Sequence, residues 1–343
     1  MIITHANFSK GFRGGERQTL LLIQELSNKG YTQRVVTRVN SELADKLEGI
    51  KNLTIHRLAK PYAIHISQVK DSSVIHAHEA KAAQFAYFAN MFYKIPYIIT
   101  RRVDNKIKNN IFNRSMYANT SYVVTVADDI QAMALEINKD LKIKTIYSAF
   151  STLEIDENKV QKIQERFKGK FLIGHIGELD NSQKGQYFLI EAMRLLAKEF
   201  EDIHLICLGK GKDADVFKEQ SKDLTNITFE GFVNNVGDYI QCFDIFTFPS
   251  LREGIASILF DIMQSNVAIA TTDVNGIPEY IKNEKNGLLV KPKDIEGLYK
   301  AIKKLYLDEK LRERLTKEAF ITVQDYSVPI MANKYEEIYK EVK

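Results

Sequence analysis

Two carboxylates eight positions apart single out the segment SLREGIASILFDIMQ, residues 250–264. Glu253 precedes a glycine, and Asp261 interrupts an apolar run that is typical of a half-buried helix. Eight helical residues advance about 80° beyond two full turns, so the two side chains point in different directions. Each can therefore accept hydroxyl groups from a different part of one ligand, although a helix cap and an exposed acid would give the same pattern.

The residues between these carboxylates predict an anion site. Helix-forming residues begin after Gly254, so the N–H groups around Ile255, Ala256 and Ser257 would be unpaired donors of a first helical turn. Such donors favour a negatively charged group at a helix N-terminus.

Two further segments join a strand to a helix with residues that suit phosphate. In KGQYFLIEAMRLL, Lys184 would place a positive charge beside a helix N-terminus. In HANFSKGFRGGERQTLLLI, Gly14 and Gly15 would let the backbone approach a ligand closely. Alone, each also fits a solvated lysine or a flexible turn. Neither this segment nor GKGKDADVF, residues 209–217, has the dinucleotide spacing G-x-G-x-x-G, which argues against an NAD enzyme.

Strand and helix patterns alternate along the chain and predict an α/β fold with parallel sheets. The predicted strands are MIITHA, QRVVTRV, LTIHRLA, SVIHAH, YIITRRV, YVVTVA, KTIYSAF, FLIGHIG, IHLICLG, NITFEGF, IFTFPS, VAIATTD and NGLLV. The predicted helices include 16–29, 80–93, 185–200, 256–265 and 295–306. A charged, strand-free stretch at 156–170 suggests a hinge between two Rossmann-like domains, 1–160 and 168–325, with a last helix at about 327–343 that packs back on the first.

Composition narrows the functional classes. The chain has 343 residues, enough for about two domains, and no apolar run long enough to span a membrane. No signal peptide is visible, and Cys207 and Cys242 lie in apolar runs, so we predict a cytoplasmic protein. Residues 1–150 carry 21 Lys and Arg against 12 Asp and Glu, and this basic half would attract anions.

Together these motifs resemble glycosyltransferase family 4. Gly14–Gly15–Glu16, then Lys184–Gly185, then Glu253 with Asp261 occur in the order and spacing of that family. The segments VIHAHEAKAAQFA, FPSLREGIASILFDIM and TDVNGIPEYIKNEKNGLLV resemble it too. The resemblance covers nearly the whole chain and is strongest from 171 to 292. It implies a GT-B fold, in which two Rossmann-like doubly wound domains face each other across a cleft.

The resemblance also implies a retaining, metal-independent hexosyltransferase without a cofactor. The donor would be a nucleotide-diphosphate sugar, with a UDP-sugar favoured, and the acceptor a growing lipid-linked glycan such as a lipopolysaccharide core. Lys184 would neutralise the leaving phosphates, a charge-stabilising task that is usually the largest catalytic contribution. The other implied donor contacts are Gly14 and Gly15 at the diphosphate, Glu253 with Gly254, Ile255 and Ala256 at the sugar, Asp261 at the ribose, and Gly231 and Val233 at the base.

Three positions depart from the family pattern. The family usually has glutamate where this chain has Asp261, arginine where it has Glu178, and histidine at the position matched to Arg102. A carboxylate beside a diphosphate would repel it. We therefore predict that Arg102 meets the phosphates as a catalytic residue and that Glu178 orients it. Alternatively, Glu178 faces solvent and Arg102 binds an acidic acceptor.

Two pairs of residues have competing interpretations. His76 and His78 alternate along one strand and share a face. The resemblance puts them on the acceptor side, and satisfied histidines at a strand end are an equal alternative. Asp213 and Asp215 form a D-x-D pattern, but they open a polar helix, which favours capping over metal binding.

The segment RRVDNKIKNNIFNRSMY, residues 101–117, carries five basic residues and one acidic residue. If it is helical, Ile107, Ile111, Phe112 and Met116 lie near one face, as in helices that rest on anionic membranes. An ordinary helix with a solvated face is the alternative. We predict peripheral association with the inner face of the cytoplasmic membrane.

Three other functions fit parts of the sequence. A sugar-nucleotide epimerase or hydrolase on the same fold would need no acceptor. A binding protein that has lost catalysis would explain the missing arginine and histidine, but Lys184 and Glu253 are retained. Nucleic-acid binding rests on charge alone, and no recognised module supports it.

Overall fold

The computed structural model describes residues 1–342, which divide into two compact units. The first comprises Met1–Ala149 and the segment that starts at Tyr326, and the second comprises Phe150–Asp325. Each unit is built on its own sheet, and every strand pairing within these sheets is parallel.

The first unit contains seven strands. They are β1 (Ile2–Asn7), β2 (Thr32–Arg38), β3 (Leu53–Leu58), β4 (Val74–Ala77), β5 (Tyr97–Arg101), β6 (Tyr122–Thr125) and β7 (Ile143–Thr145), in the sheet order β3-β2-β1-β4-β5-β6-β7. Its helices are α1 (Gly14–Asn28), α2 (Glu42–Leu47), α3 (Ala80–Tyr93), α4 (Ile111–Ala118) and α5 (Asp128–Leu135), a 3-10 helix (Tyr62–Val69), and the much later α15 (Val328–Glu341).

The second unit contains six strands. They are β8 (Phe171–Ile176), β9 (Ile203–Leu208), β10 (Ile227–Gly231), β11 (Ile245–Phe248), β12 (Ala268–Thr272) and β13 (Leu288–Val290), in the order β10-β9-β8-β11-β12-β13. Its helices are α6 (Glu157–Arg166), α7 (Asn181–Lys184), α8 (Gln186–Leu196), α9 (Ala214–Gln220), α10 (Val236–Ile240), α11 (Ser257–Gln264), α12 (Ile277–Tyr280), α13 (Ile295–Leu307) and α14 (Glu309–Val323), with a 3-10 turn at Gln324–Tyr326.

Apolar side chains on both faces of each sheet explain why the strands are parallel and covered by helices. In the first unit, Val74 and Ile98 join a cluster with Tyr335 and Tyr339 of α15, whereas their neighbour Ile75 joins the opposite cluster. Each of the predicted strand segments overlaps one of the observed strands, although β1, β2 and β7 extend one residue beyond the predicted segments. The predicted α/β fold with two parallel, Rossmann-like sheets is therefore confirmed.

The strand order reverses at one point in each sheet. In the first it reverses between β1 and β4, and in the second between β8 and β11. Ligands of open α/β sheets bind outside the carboxyl ends of the strands at such points. The loops that follow β1, β4, β8 and β11 are therefore the places to look for a site.

The predicted hinge at 156–170 is wrong in detail. This segment belongs to the second unit and is mostly the helix α6, whereas the division falls between Ala149 and Phe150. Asp156 starts the helix by accepting a hydrogen bond from the N–H of Asn158 at 3.1 Å, and Ile163 is buried. The charged run is thus the solvated face of a helix.

The predicted amphipathic helix at 101–117 is also only partly present. Helix α4 begins at Ile111, after the Asn110 side chain accepts a hydrogen bond from the N–H of Asn113 at 2.8 Å. Ile107 packs against the core and Met116 is buried, whereas Ile111 is 88% exposed. These apolar side chains therefore do not form a single exposed helical face. In residues 1–342 we find no helix long and apolar enough to cross a membrane.

Candidate functional site

Lys184 and Glu253 form an ion pair at the switch point of the second sheet. Lys184 ends α7, which follows β8, and Glu253 lies in the loop after β11. Oε1 of Glu253 accepts hydrogen bonds from the Lys184 ammonium and from the Ser250 hydroxyl, the latter at 2.7 Å. The Lys184 side chain is 19% exposed and that of Glu253 is 9% exposed, so neither charge is fully buried. The pair joins a cation and an anion of the kinds that suit phosphate and hydroxyl groups, and their contacts with a donor stay predictions.

The backbone around Gly185 and the backbone of the loop after β11 approach each other closely. Gly185 has a φ of +64°, and a Cβ atom there would lie 2.2 Å from the carbonyl oxygen of Pro249. The N–H of Leu251 donates to the carbonyl of Gln183 at 2.6 Å. Glycine is therefore required directly after Lys184, both for the left-handed backbone and for the contact that positions the ion pair.

A buried histidine supports the lysine loop. His175 donates from Nδ1 to the carbonyl of Thr247 at 3.0 Å, and the Gln186 amide donates to its Nε2 at 3.3 Å. Burial lowers the pKa of His175 to about 4, and the charge on Lys184 acts in the same direction. A neutral imidazole therefore lies beside the lysine without adding to its positive charge.

The loop before α11 leads from Glu253 to the helix. Gly254 and Ile255 are half-buried, and Ala256, the N-cap of α11, has no side-chain capping bond within residues 1–342. The N–H of Ser257 donates to the carbonyl of Ile255 at 3.1 Å, and the N–H of Leu259 donates to that of Ala256 at 2.9 Å. Anion binding by the amides at this helix end stays a prediction.

Asp261 has a different environment from the one predicted. It is 1% exposed, and its Oδ1 accepts hydrogen bonds from the N–H of Ser151 at 2.9 Å and from the Ser151 hydroxyl at 3.3 Å. These contacts anchor the start of the second unit to α11. The contact with a ribose diol stays a prediction.

Gly231 ends the edge strand β10, and Val233 lies two residues beyond it. Gly231 has a φ of +75°, and its carbonyl accepts a hydrogen bond from Gly209 at 2.7 Å. Between them, the exposed ring of Phe232 lies 5.1 Å from the ammonium of Lys210, a cation–π contact that the sequence did not indicate.

The other acidic candidates of this unit lie in loops. Glu178 is exposed in the loop after β8, where its carbonyl accepts a hydrogen bond from the Gln186 amide at 2.8 Å. The Asp213 side chain accepts from the N–H of Asn181 at 2.8 Å, and Asp215 lies in the first turn of α9. Asp213 is the N-cap residue of α9, but its side chain makes no capping bond to that helix and binds the first N–H of α7 instead.

In the first unit, three predicted site residues lie together. Gly14 and Gly15 begin α1, and Arg102 follows β5 directly. A Cβ atom on Gly15 would lie 3.6 Å from Cδ of Arg102, so the guanidinium stem passes the N-terminus of α1. Nη1 of Arg102 lies 3.3 Å from Nδ1 of His78. A cation and a helix N-terminus are thus close neighbours.

Three histidines, His5, His76 and His78, form a cluster next to Arg102. All three rings are buried, which lowers the pKa of His5 to about 3 and those of His76 and His78 well below their ordinary value. His76 bonds the hydroxyls of Tyr339 and Thr100, each at 2.6 Å. Burial and these bonds favour satisfied histidines over direct contact with an acceptor.

The sequence did not indicate several members of these groups, namely His5, His175, Gln186 and Ser250. A histidine inside an apolar strand was the available signal for His5. In the sheet, His5 lies opposite His76, and this register is what brings the rings together.

Residues 156–321 match the family model of the glycosyl transferases group 1. The matched part contains Lys184, Glu253 and Asp261. Over its length the chain is similar to the lipopolysaccharide core biosynthesis glycosyltransferase LpsE of Rhizobium meliloti, with 23% identity covering 94% of each chain. It is also similar to the capsular polysaccharide biosynthesis glycosyltransferase CapH of Staphylococcus aureus, with 24% identity covering 83% of this chain and 86% of the relative.

Solved structures share the fold. Anabaena HepE in complex with UDP-glucose superposes with a TM-score of 0.87 at 17% identity, covering 99% of this chain and 100% of that chain. The outer core galactosyltransferase WaaB, in its apo form, superposes with a TM-score of 0.75 at 15% identity, covering 99% of each chain. The chain therefore has the GT-B fold.

Proposed function

We propose that this protein is a retaining glycosyltransferase of cell-envelope glycan synthesis. It transfers a hexose-type sugar from a nucleotide-diphosphate donor, with UDP as the favoured nucleotide, to a lipid-linked acceptor such as a lipopolysaccharide core. The observation that carries the proposal is the Lys184–Glu253 ion pair at the switch point of a sheet, inside the segment that matches the glycosyl transferases. The envelope glycans named for LpsE and CapH, and the UDP-glucose named for HepE, support the substrate classes.

In this proposal the ion pair exchanges partners when the donor binds. Lys184 turns to the diphosphate, and Glu253 accepts hydrogen bonds from the sugar hydroxyls. When the bond between the anomeric carbon and the phosphate oxygen breaks, the nucleoside diphosphate leaves with the electron pair, and Lys184 stabilises its charge. The oxygen of an acceptor hydroxyl forms the new bond to the anomeric carbon, and its proton passes to the leaving phosphate or to solvent. Asp261 binds the ribose, and Gly231 and Val233 border the base. The reaction needs no metal because lysine, arginine and helix amides supply the positive potential.

The departures from the family pattern are part of the proposal. Arg102, beside Gly15, supplies positive charge for the donor phosphates, the duty that the family gives to arginine at position 178. Glu178 orients this arginine. Replacing Glu178 with arginine then weakens turnover, and a gain in donor affinity without loss of turnover would contradict the pairing.

A panel of nucleoside diphosphates tests the donor site. UDP, GDP, ADP, CDP and dTDP are each added with and without magnesium, and the melting temperature is measured. A ligand at 100 times its Kd stabilises the folded state by about 2.7 kcal/mol, which is visible in a melting curve. We expect UDP to stabilise the protein most, without magnesium. Release of UDP from a UDP-sugar at full rate without acceptor would favour a hydrolase instead.

The lipid-linked acceptor is supported by a surface of the first unit. The exposed apolar residues Met91, Phe92 and Tyr93 end α3, and Ile111 and Phe112 begin α4. The ring of Phe112 contacts those of Tyr87 and Phe88, which packs the start of α4 against the second half of α3. Basic residues lie next to these segments in the sequence, among them Lys94, Lys106, Lys108 and Arg114. Exposed apolar side chains with basic residues close to them in the sequence fit an anionic membrane.

Vesicle flotation tests this surface. We expect the protein to bind vesicles with anionic lipid at low salt and to bind neutral vesicles weakly. The Ile111→Ser variant should lose binding, whereas Ile321→Ser, at a residue that is 57% exposed in the second unit, should keep it. Equal binding by both variants would remove the support for a membrane-bound acceptor.

A further inference from the structure

Arg102 is held by a residue that is itself part of a buried hydrogen-bond chain. Its Nη1 lies 3.3 Å from Nδ1 of His78 and 3.4 Å from the His78 carbonyl. Within residues 1–342, the buried Nε of Arg102 has no partner. The guanidinium is therefore fixed from one side, through His78.

The direction of every bond in this chain can be deduced. A guanidinium can only donate, so Nδ1 of His78 accepts and its ring proton lies on Nε2. That proton points to Nδ1 of His5, which is 3.0 Å away, so His5 is also protonated on Nε2. Nε2 of His5 then donates to Oε1 of Gln33 at 3.1 Å, and the Gln33 amide donates to the carbonyl of Ile23 at 2.9 Å.

The two ends of the chain require the same direction. Arg102 is a pure donor at one end, and the backbone carbonyl of Ile23 is a pure acceptor at the other. No link has two donors or two acceptors facing each other. Because both ends impose the same direction, the hydrogen-bond chain has one stable set of tautomers.

The surroundings keep the rings neutral. His5 and His78 are 0% and 4% exposed, and burial lowers the pKa of both, with the charge of Arg102 acting in the same direction. A proton on Nδ1 of His78 would face the guanidinium and repel it. The neutral state is therefore the one that can hold Arg102.

A metal ion is a competing explanation for three close histidines, since one ligand atom from each lies within 4.8 Å of the others. Both nitrogens of each ring already have a hydrogen-bond partner. A cation would have to displace several of these bonds while lying beside the Arg102 guanidinium. The contacts favour the hydrogen-bond chain.

We infer that His78, His5 and Gln33 are positioning residues that hold Arg102 beside the N-terminus of α1, in the geometry that receives the donor phosphates. This inference rests on the proposed function for the identity of the ligand. Three buried residues that are remote from the Lys184–Glu253 pair in the sequence thus affect donor affinity.

The test is a double-mutant cycle with UDP as the probe. Hydrogen bonds to charged groups are strong, so we expect His78→Leu to raise the Kd for UDP about tenfold. His78→Asn, which keeps an oxygen acceptor, should restore most of the affinity. In the Arg102→Ala background His78→Leu should have no further effect, because it acts through the arginine. Tyr335→Phe is the structural control, since it removes a neighbouring buried hydrogen bond to Thr100 outside the chain.

Additive effects of His78→Leu and Arg102→Ala would overturn the inference, as would an equal loss of affinity in Tyr335→Phe. A second measurement does not depend on the donor. Ring ¹⁵N NMR at pH 7 should show His5 and His78 as Nε2–H tautomers, and His78 should lose this preference in Arg102→Ala. An Nδ1–H tautomer at His78, or stoichiometric zinc in the purified protein, would refute the chain. If wild-type protein binds none of the nucleotides while NMR shows these tautomers, the proposed function fails but the hydrogen-bond chain is confirmed.

Discussion

The ammonium of Lys184 and the carboxylate of Glu253 meet although 69 positions separate them in the sequence. Lys184 ends the short helix α7 after β8, Glu253 lies in the loop after β11, and the Ser250 hydroxyl also donates to the carboxylate. The pair keeps two opposite charges near the surface without leaving either unpaired in the partly buried loop. A ligand that offers both an anion and hydroxyl groups can replace both partners at once.

Loss of the lysine charge should affect catalysis more than folding. For Lys184→Ala we expect kcat to fall by about 10² to 10³, the range seen when a group that stabilises transition-state charge is removed. Initial rates of nucleoside diphosphate release give kcat and KM. Lys212→Ala is the matched control, because Lys212 pairs with Asp180 in an adjoining loop and is 63% exposed. Equal loss in both variants would mean that the lysine acts through general surface charge.

Removal of the Glu253 charge should weaken binding of the donor sugar more than binding of the nucleotide. Glu253→Gln keeps the size and hydrogen-bonding ability of the side chain but breaks the ion pair. We expect weaker binding of the UDP-sugar and little change for UDP, because the proposed partner of Glu253 is the sugar. Calorimetric titration with each ligand measures the difference. Equal weakening for UDP and the UDP-sugar would place Glu253 at the nucleotide instead.

The close approach at Gly185 predicts a stability effect. Gly185→Ala adds a Cβ atom 2.2 Å from a backbone oxygen and also strains a φ of +64°. Gly169→Ala is the matched control, with a φ of +76° and, within residues 1–342, open space around the new atom. We expect the control to lose about 1 kcal/mol and Gly185→Ala to lose more, since the loop must also shift. Urea unfolding of both variants measures this, and equal losses would show that the loops adapt freely.

Acid should destabilise the protein through its buried histidines. The folded chain keeps His5 and His175 neutral, with pKa values of about 3 and about 4, whereas the unfolded chain protonates them below 6.5. The unfolded state therefore binds more protons, and stability falls as pH drops below 6.5, by up to about 1.4 kcal/mol per pH unit for each histidine. Burial raises the pKa of Glu79 and Asp244, which opposes this loss only at lower pH.

Calorimetric unfolding at pH 5.5 in two buffers of different ionisation enthalpy measures the protons taken up. We expect more than one proton per molecule, and His5→Asn should reduce the uptake by close to one. No uptake at this pH would mean that the histidines are already charged in the folded protein.

The fold could be predicted because its signals are local. Apolar strands such as FLIGHIG and IHLICLG, separated by amphipathic helices, leave parallel sheets as the main solution. The second-unit candidates could be proposed because Lys184 and Glu253 each lie in a short segment that joins a strand to the following helix. The histidine chain could not, because it depends on the register that sets His5 against His76 and on side-chain directions. The extents of α4 and α6 were missed because charge patterning alone does not tell a solvated helical face from a hinge or a membrane contact.

The discontinuity of the first unit has a consequence for the order of biosynthesis. Tyr335 and Tyr339 complete a core that otherwise comes from residues made before the second unit, and their hydroxyls bond Thr100 and His76. A ribosome must therefore translate the whole second unit before the first sheet can bury this face. Until then a nascent first unit exposes Val74 and Ile98, which makes it a target for chaperones. The second unit, continuous in the chain, is free to fold first although it is made later.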